Sequence, residues 1–280
     1  YEMSASLVGS EMCIRDRAAA PSRHQNRNRL HQSQICQGLN LMNKQYKNIV
    51  ILTGAGISAE SGLATFRSSN GLWNNHQVED VASVEGFRRN PALVHDFYND
   101  LKLEIQKAKP NPAHLAITRL QNEYPAEISV VTQNVDTLHE KAGNKNIYHI
   151  HGQINQAVCL NCGHILETFG DVDTETVCAQ CGVTGMMKPN IVFFGENLLC
   201  MDKVETLLRS CDLFVSIGTS GVVFPAAAFV QTAKYHGADT IEFTLEPTSN
   251  NFYFDRHVYG PAGQTLPSYV DGLVKSAVRP

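Results

Sequence analysis

The run Ile49-Val50-Ile51-Leu52, broken at once by Gly54-Ala55-Gly56, constrains the fold of this chain more than any other stretch. An unbroken apolar run rich in β-branched residues suits a strand buried on both faces, and such strands belong to parallel sheets covered by helices. After the glycine turn, Ser58, with Ser61 three residues on, stands where a helix N-cap is expected. A buried strand, a glycine turn and a helix start together collect free backbone N–H groups into a pocket that suits a pyrophosphate. A short glycine pattern is weak evidence by itself, because a bland turn explains Gly54 and Gly56 equally well. It explains less well why Gly62, Phe66 and Arg67 place another glycine, an aromatic and a fixed cation just beyond the turn.

The chain from Met42 onward alternates between strand and helix patterns. Pro91 follows Asn90 as a helix start, and Leu93, Val94, Phe97, Tyr98, Leu101 and Ile105 share one helical face. Pro110 and Pro112 punctuate the chain before an amphipathic helix over Ala113 to Gln121, with Leu115, Ile117 and Leu120 as its apolar positions. Strands are expected at Ile128 to Thr132, at Asn146 to His151 (stopping at Gly152), at Asp212 to Ile217 and at Asp239 to Leu245. Ile191-Val192-Phe193-Phe194 is a further apolar run, closed by Gly195-Glu196. Helices are expected at Met201 to Ser210, at Ala226 to Tyr235 (stopped by Gly237) and at Pro267 to Val278. This alternation predicts an α/β fold with a parallel sheet. Ligands of such sheets bind beyond the carboxyl ends of the strands. Four strand ends carry polar or glycine-rich tips: Gly54-Ala55-Gly56, Gln133-Asn134, Gly218-Thr219-Ser220 and Glu246. Their coincidence predicts a nucleotide site.

The 280 residues suit one large α/β domain with an insertion, or two modest domains. A net charge of −4 and the lack of a long basic block argue against a nucleic-acid footprint. No apolar run approaches the roughly 20 residues of a membrane-spanning helix. Residues 1–41 have no sustained period and no apolar core for a signal peptide. Leu7 to Asp16 reads like an in-frame translation of a common sequencing-library adapter, so the expected natural start is Met42. The alternative is a disordered basic N-terminal arm.

Of the eight cysteines, four form the pairs Cys159-x-x-Cys162 and Cys178-x-x-Cys181, Cys36, Cys200 and Cys211 look solitary, and Cys13 falls within the adapter-like stretch. That pattern favours a reducing, cytoplasmic setting with a metal site over a disulfide framework. Two such knuckles close a sulfur tetrahedron around zinc, and Gly163 and Gly182 suit the tight turns that follow each pair. Four thiolate ligands leave no open position, so the zinc is expected to be structural. A redox dithiol is the weaker alternative. A nucleic-acid-binding ribbon is disfavoured because Glu167, Asp171, Asp173 and Glu175 lie between the pairs without any Lys or Arg.

Taken in order, GAGISAESGLATFR at 54–67, TQNVD at 132–136, HG at 151–152, the four cysteines, FGE at 194–196, GTS at 218–220 and LEP at 245–247 closely resemble the sirtuin family of NAD-dependent protein deacylases. The resemblance runs from Asn48 nearly to the C-terminus. It implies a Rossmann-like NAD-binding domain from residues 42–68, 109–152 and 188–280. A small domain would combine a helical module (69–108) with a zinc module (153–187). By resemblance, Gly54, Ala55, Gly56, Gly218, Thr219 and Ser220 hold the phosphates and ribose of NAD, and Phe66 and Arg67 lie on a loop that closes over it. The same resemblance extends the cofactor site to Ser58, Ala59, Trp73, Gln133, Val135, Thr244, Leu245, Glu246 and Ala262. Asn134 and Asp136 would orient the nicotinamide end so that nicotinamide leaves as the acyl-lysine oxygen attacks C1′. His151 would be the general base that frees a ribose hydroxyl to attack the imidate, giving lysine, nicotinamide and 2′-O-acyl-ADP-ribose. An imidazole suits that step because its unperturbed pKa lies near neutrality. Taken alone, a histidine at a strand end is more often a structural hydrogen-bonder. Phe193, Phe194, Gly195 and Glu196, with Gly221, Val222 and Val223, resemble the two strands that clamp an extended acyl-lysine peptide. The oligomeric state is left open, a monomer included. Mono-ADP-ribosyl transfer and a non-catalytic NAD-sensing module are the competing readings.

Ala59, the segment 76–87 and Tyr98 resemble the sirtuin branch that also removes succinyl and malonyl groups with a Tyr-x-x-Arg pair. Here the pair is Tyr98-x-x-Leu101. Residues three apart share a helix face, so Leu101 would stand where a cation is needed to meet an acyl carboxylate. Lys102 lies about 100° further round the helix and is expected to face elsewhere. The expectation is deacetylation, extending to longer apolar chains, with weak desuccinylation. In the alternative reading Tyr98 is simply a core aromatic. Thr244 also departs from the family, which commonly has Asn there.

Overall fold

The computed structural model describes residues 44–65, 72–73 and 76–277. The expectations for Phe66, Arg67 and residues 1–41 fall outside the described residues. Nine strands of three or more residues are described: β1 (Asn48–Thr53), β2 (Glu127–Thr132), β3 (Ile147–His149), β4 (Gly152–Cys159), β5 (Ile165–Glu167), β6 (Met187–Ile191), β7 (Leu213–Ile217), β8 (Asp239–Thr244) and β9 (Arg256–Tyr259). The main helices are α1 (Val84–Arg89), α2 (Pro91–Lys107), α3 (Pro112–Glu123), α4 (Leu138–Ala142), α5 (Met201–Ser210), α6 (Phe229–Tyr235) and α7 (Ala262–Ala277).

Six strands form one sheet in the order β9-β8-β7-β1-β2-β3, and every neighbouring pair is parallel. The continuous apolar run of β1 follows from its central place, because its side chains alternate between two cores. Ile49 and Ile51 join Ile128, Val130, Val215 and Ile217 beneath Ile117 and Leu120 of α3 and Leu266 and Val270 of α7. Val50 and Leu52 join Val131 and Phe214 beneath Leu207 and Leu208 of α5 and Phe229 and Val230 of α6. Each such side chain contributes about 1.5–3 kcal/mol when fully buried. A polar residue at any of positions 49–52 would therefore damage one core or the other whichever way it pointed.

A second, antiparallel sheet of order β5-β4-β6 carries the first cysteine of the first pair at the end of β4. Beside it, α2 buries Val94, Phe97, Tyr98, Leu101 and Ile105 against Ile154, Ile191 and Phe193. The helix start expected at Asn90-Pro91 is present, and the Asn90 side chain accepts from the Leu93 N–H.

Several expectations need correction. Ser58 does not cap an α-helix. It stands between two 3₁₀ turns, Ala55–Ile57 and Ala59–Ser61, and its side chain makes no cap bond because its hydroxyl is bonded elsewhere. Leu115 is exposed, because α3 turns Ala113, Ala116, Ile117 and Leu120 inward instead. The strand expected over Asn146 to His151 is only β3, and Gly152 opens β4 where it was expected to close a strand. Of the apolar run at 191–194, Ile191 ends β6 and Phe194 lies outside the strand, in an isolated bridge to Ser83. The last helix begins at Ala262, five residues before Pro267. Proline removes one i→i−4 bond there, and the first turn is held from outside by Glu60, whose carboxylate accepts from the Gly263 N–H at 2.8 Å.

Candidate active site and metal centre

The chain runs outward from β1 through β2 to β3 on one side and from β7 through β8 to β9 on the other. The crevice at the carboxyl ends of β1 and β7 is thus a topological switch point, where open α/β sheets bind ligands. Two glycine turns interlock in it. The Gly54 N–H donates to the Ile217 carbonyl at 3.0 Å, and the Gly56 N–H donates to the Gly218 carbonyl at 2.9 Å. Gly218 has φ +62°, and a Cβ there would lie 2.4 Å from the Ile57 nitrogen. A Cβ on Gly56 would lie 2.7 Å from the Gly218 Cα. Side chains at either position would wedge the turns apart, so the cradle is bare backbone. That bare surface lets a dinucleotide phosphate approach the backbone closely. The N–H groups of Gly54, Gly56 and Gly218 are already bonded to backbone carbonyls, so the turn does not offer the expected row of free donors at a helix start. Thr219 is fixed by its hydroxyl, 2.9 Å from Ser216 Oγ. The Gly218 N–H donates to Phe243 O, which brings the β8 tip alongside.

The tip of β2 is tied to this cradle through Ser58. The Ser58 hydroxyl donates to Asp136 Oδ2 at 2.8 Å and accepts from Asn134 Nδ2 at 3.1 Å. Asp136 Oδ1 accepts from the Leu138 N–H at the start of α4. All three of Ser58, Asn134 and Asp136 are buried. The Asn134 N–H donates to Thr132 Oγ1, which lies 2.8 Å from Thr53 Oγ1, and Thr53 Oγ1 lies 3.0 Å from His139 Nε2. His149 Nδ1 lies 3.2 Å from the Asn134 carbonyl, and its Nε2 lies 2.6 Å from Glu140. The polar loop is therefore braced from below by the buried side chains of Thr53, Thr132, His139 and His149.

His151 follows β3 and is half-buried. Its Nδ1 lies 2.8 Å from the Gln133 carbonyl. A carbonyl only accepts, so Nδ1 carries the proton and Nε2 keeps its lone pair. Burial pushes the imidazole below its ordinary value, and the bond to Gln133 offsets this in part. At neutral pH His151 is therefore a neutral base with a fixed tautomer.

Tyr98 stacks on Phe193 at 5.9 Å and meets Trp73 edge-on at 6.0 Å. Trp73 also packs edge-on against Phe97 at 5.0 Å, so it lies among the aromatics of the α2 face. The Tyr98 hydroxyl is buried and meets no hydrogen-bond partner among the described residues. Burial raises the phenol above its ordinary range, keeping it a neutral donor. Leu101 is 6% exposed beside it. Lys102 faces elsewhere, as expected, and its Nζ donates to the Gly170 carbonyl at 2.6 Å.

Glu196 is held at one carboxylate oxygen, which accepts from Lys188 Nζ at 2.9 Å and from the Phe193 N–H at 2.8 Å. Lys188 also lies 4.0 Å from the centre of the Phe193 ring. Phe193 is buried while Phe194 and Val222 are exposed. Gly221 lies so near Asn250 that a Cβ would meet its Oδ1 at 2.2 Å. At the β8 tip Thr244 Oγ1 donates to the Glu246 carbonyl, and Leu245 is exposed. Ala59 is exposed and Ala262 is buried at the start of α7.

Sequence reading missed Asn111. Its Nδ2 donates to the Ile57 carbonyl at 2.7 Å and to Ser61 Oγ at 3.0 Å, while its Oδ1 accepts from the Ala113 N–H at the start of α3. The signal was there: an Asn directly before a proline at a helix start is an N-cap pattern.

The four knuckle sulfurs lie within 4.8 Å of one another. Cys159 and Cys181 sulfurs are 3.7 Å apart, as are those of Cys162 and Cys178. Zinc–sulfur bonds of about 2.3 Å in a tetrahedron place sulfurs roughly 3.8 Å apart, so the donor set fits that ion. Each knuckle closes with a glycine N–H bonded to the first cysteine carbonyl, Gly163 to Cys159 and Gly182 to Cys178, both at 2.8 Å. No helix among the described residues is long and apolar enough to cross a membrane.

A doubly wound parallel sheet with a glycine cradle at its switch point and an appended four-sulfur knuckle pair defines a nucleotide-binding protein with a metal-stabilised insertion. Residues 54–225 match the Sir2 family, and the chain belongs to that family. It is 49% identical over 235 residues to the NAD-dependent protein deacylase of Vibrio vulnificus, covering 83% of this chain and 96% of that protein. It superposes with a TM-score of 0.80 on a Sir2 homologue variant bound to ADP-ribose, at 32% identity over 87% of this chain and 98% of that one. Sir2Af2 bound to a myristoylated histone peptide superposes with a TM-score of 0.67, at 32% identity and the same coverage.

Proposed function

We propose that this protein removes acyl groups from protein lysines with NAD as co-substrate, acetyl and longer apolar acyl groups being preferred over succinyl. The observation that carries the reading is His151, a half-buried base whose tautomer is fixed by the Gln133 carbonyl at the tip of β2, in a sheet with a bare glycine cradle at its switch point. NAD supplies the ADP-ribose that accepts the acyl group. Gly54, Ala55, Gly56, Gly218, Thr219 and Ser220 bind its phosphates and ribose, with Phe66 and Arg67 closing over them. Thr244, Leu245, Glu246 and Ala262 receive the adenosine end. Asn134 and Asp136, locked by Ser58, orient the nicotinamide end and hold water away from the reacting carbon. His151 Nε2 removes a ribose hydroxyl proton.

The substrate enters as an extended peptide between Phe193–Glu196 and Gly221–Val223, with its acyl chain against Tyr98 and Leu101. A carboxylate-bearing chain would face Leu101 without a cation, which disfavours it. Cys159, Cys162, Cys178 and Cys181 hold one structural zinc, and this set leaves no position open for chemistry. The Rossmann-like domain comprises 42–68, 109–152 and 188–280, and the small domain 69–108 and 153–187. The setting is cytoplasmic, in keeping with free thiols.

The test is nicotinamide release by the purified protein with acetyl-, decanoyl- and succinyl-lysine peptides and without peptide. Release is expected only with an acyl-lysine peptide, fastest with the uncharged chains. Release that proceeds equally without peptide would instead support ADP-ribosyl transfer or simple NAD hydrolysis.

A further inference from the structure

The helix α2 has a second working face. Asn99, Lys102 and Gln106 recur at helical spacing beside the face that carries Tyr98 and Leu101. All three reach the segment 169–172, which lies between the two cysteine pairs. Asn99 bonds Val172 twice: its Nδ2 donates to the Val172 carbonyl at 3.0 Å, and its Oδ1 accepts from the Val172 N–H at 3.1 Å. Lys102 Nζ donates to the Gly170 carbonyl, and Gln106 Nε2 donates to the Phe169 carbonyl at 3.2 Å. Lys102 is 5% exposed, so this polar contact is part of the packed interior.

The other end of the connection is the metal centre. Val172 is buried in one cluster with Cys159, Cys178 and Met187. Between Val172 and Cys178 the chain is pinned by Asp173, whose Oδ1 accepts from the Glu175 N–H and from Thr176 Oγ1. A residue of the cluster that contains Cys159 and Cys178 is therefore the one gripped by Asn99, which is next in sequence to Tyr98.

We propose that Asn99, supported by Lys102, is a positioning residue that couples metal occupancy of the four-cysteine centre to the shape of the acyl-lysine pocket. This rests on the assignment of Tyr98 and Leu101 to that pocket. With the zinc in place, Val172 is fixed and clamps α2 so that Tyr98 stays stacked on Phe193. Without the clamp, α2 is free to turn about its axis, and Tyr98 and Leu101 turn with it. The NAD cradle is built on β1 and β7 and does not feel this motion.

The test uses the full chain with Asn99→Ala, Asn99→Asp and Lys102→Met. Steady-state rates are measured against acetyl-lysine peptide and NAD separately. Zinc affinity is measured by chelator competition with and without saturating peptide, in the absence of NAD. Losing the paired amide bonds is expected to raise the peptide KM about five- to tenfold, with kcat and the NAD KM held within about twofold. Asn99→Asp keeps the acceptor for the Val172 N–H and should recover part of the loss. Lys102→Met keeps the packing and should show the same pattern, more weakly, even if Asn99→Ala fails to fold. Coupling is reciprocal, so bound peptide should tighten zinc in the wild type and not in Asn99→Ala. A folded variant whose peptide KM is unchanged, or whose peptide and NAD KM rise together, would overturn the proposal. If the wild type turns over no acyl-lysine peptide, the functional reading fails, and the coupling is then judged by zinc affinity alone. Equal zinc affinity in wild type and Asn99→Ala would end it.

Discussion

Leu101→Arg is the change that most directly questions the acyl preference. Leu101 is 6% exposed and shares its cluster with Tyr98, Ile105, Ile154, Ile191 and Phe193. A succinyl carboxylate reaching this cluster would find the Tyr98 hydroxyl as a neutral donor and no cation on the same helix face. A charge-assisted partner contributes about 1.5–3 kcal/mol. At about 1.36 kcal/mol per decade, this corresponds to a gain of roughly 10- to 150-fold in the succinyl-to-acetyl ratio of kcat/KM. The same arginine is costly when no carboxylate is present, because it buries an unpaired charge where an apolar side chain packed. Its Tm should therefore fall, acetyl turnover should fall with it, and succinyl peptide should restore more Tm than acetyl peptide does. The assay is kcat/KM on matched acetyl and succinyl peptides for both proteins. The reasoning is refuted if the wild type handles the two acyl groups equally. It is also refuted if a folded Arg variant leaves the ratio unchanged within about twofold, a shift well below that expected from one ion pair.

Replacing His151 by Ala should abolish deacylation while NAD binding by calorimetry and the circular dichroism spectrum stay as in the wild type. Because burial holds the His151 imidazole below its ordinary value, the acid limb of the wild-type kcat/KM profile should fall below pH 6.5. Gly218→Ala adds a Cβ 2.4 Å from the Ile57 nitrogen at a positive φ, so NAD affinity should drop more than about tenfold, as read by titration. Burial pushes His114 down to about 3, so the unfolded chain takes up a proton below pH 6.5 that the folded chain refuses. Stability should be complete above pH 6.5 and fall as the pH drops toward 3, by about 1.4 kcal/mol per unit for this group. Denaturant unfolding at a series of pH values would show it, and His114→Asn should flatten the slope.

Much of this arrangement was legible in the sequence, and the reasons are physical. Strands β1, β2 and β7 are buried on both faces, so each reads as a largely apolar run with a polar or glycine-rich tip where the run stops, whereas β8 was read through Asp239, Thr240 and Glu242. The cysteine spacing fixed the metal centre, since two knuckles have few other uses. Edge strand β9 was not legible, because Arg256-His257-Val258-Tyr259 is alternately half-buried and exposed and carries no strong apolar signal. The start of α7 was hidden by Pro267, which would normally lie near a helix end. The role of Ser58 could not be read locally, because its partners Asn134 and Asp136 come from a different strand end. The polar stripe of α2 was overlooked for a similar reason: its partners are backbone carbonyls, which leave no trace in residue type.

The interlock of Gly54 and Gly56 with Ile217 and Gly218 has a consequence for how the protein is made. Its two turns come from opposite halves of the chain, so the phosphate cradle does not exist in either half alone. During synthesis, the first turn emerges well before its mate, and contacts of such long sequence separation form late. The nucleotide site is thus a certificate of completed folding: a chain that stalls before β7 docks beside β1 has no place to bind NAD, however sound its other elements are. NAD bound at the proposed site would withdraw molecules from the unfolded pool and should raise Tm with concentration, making the co-substrate the final fastener of the sheet.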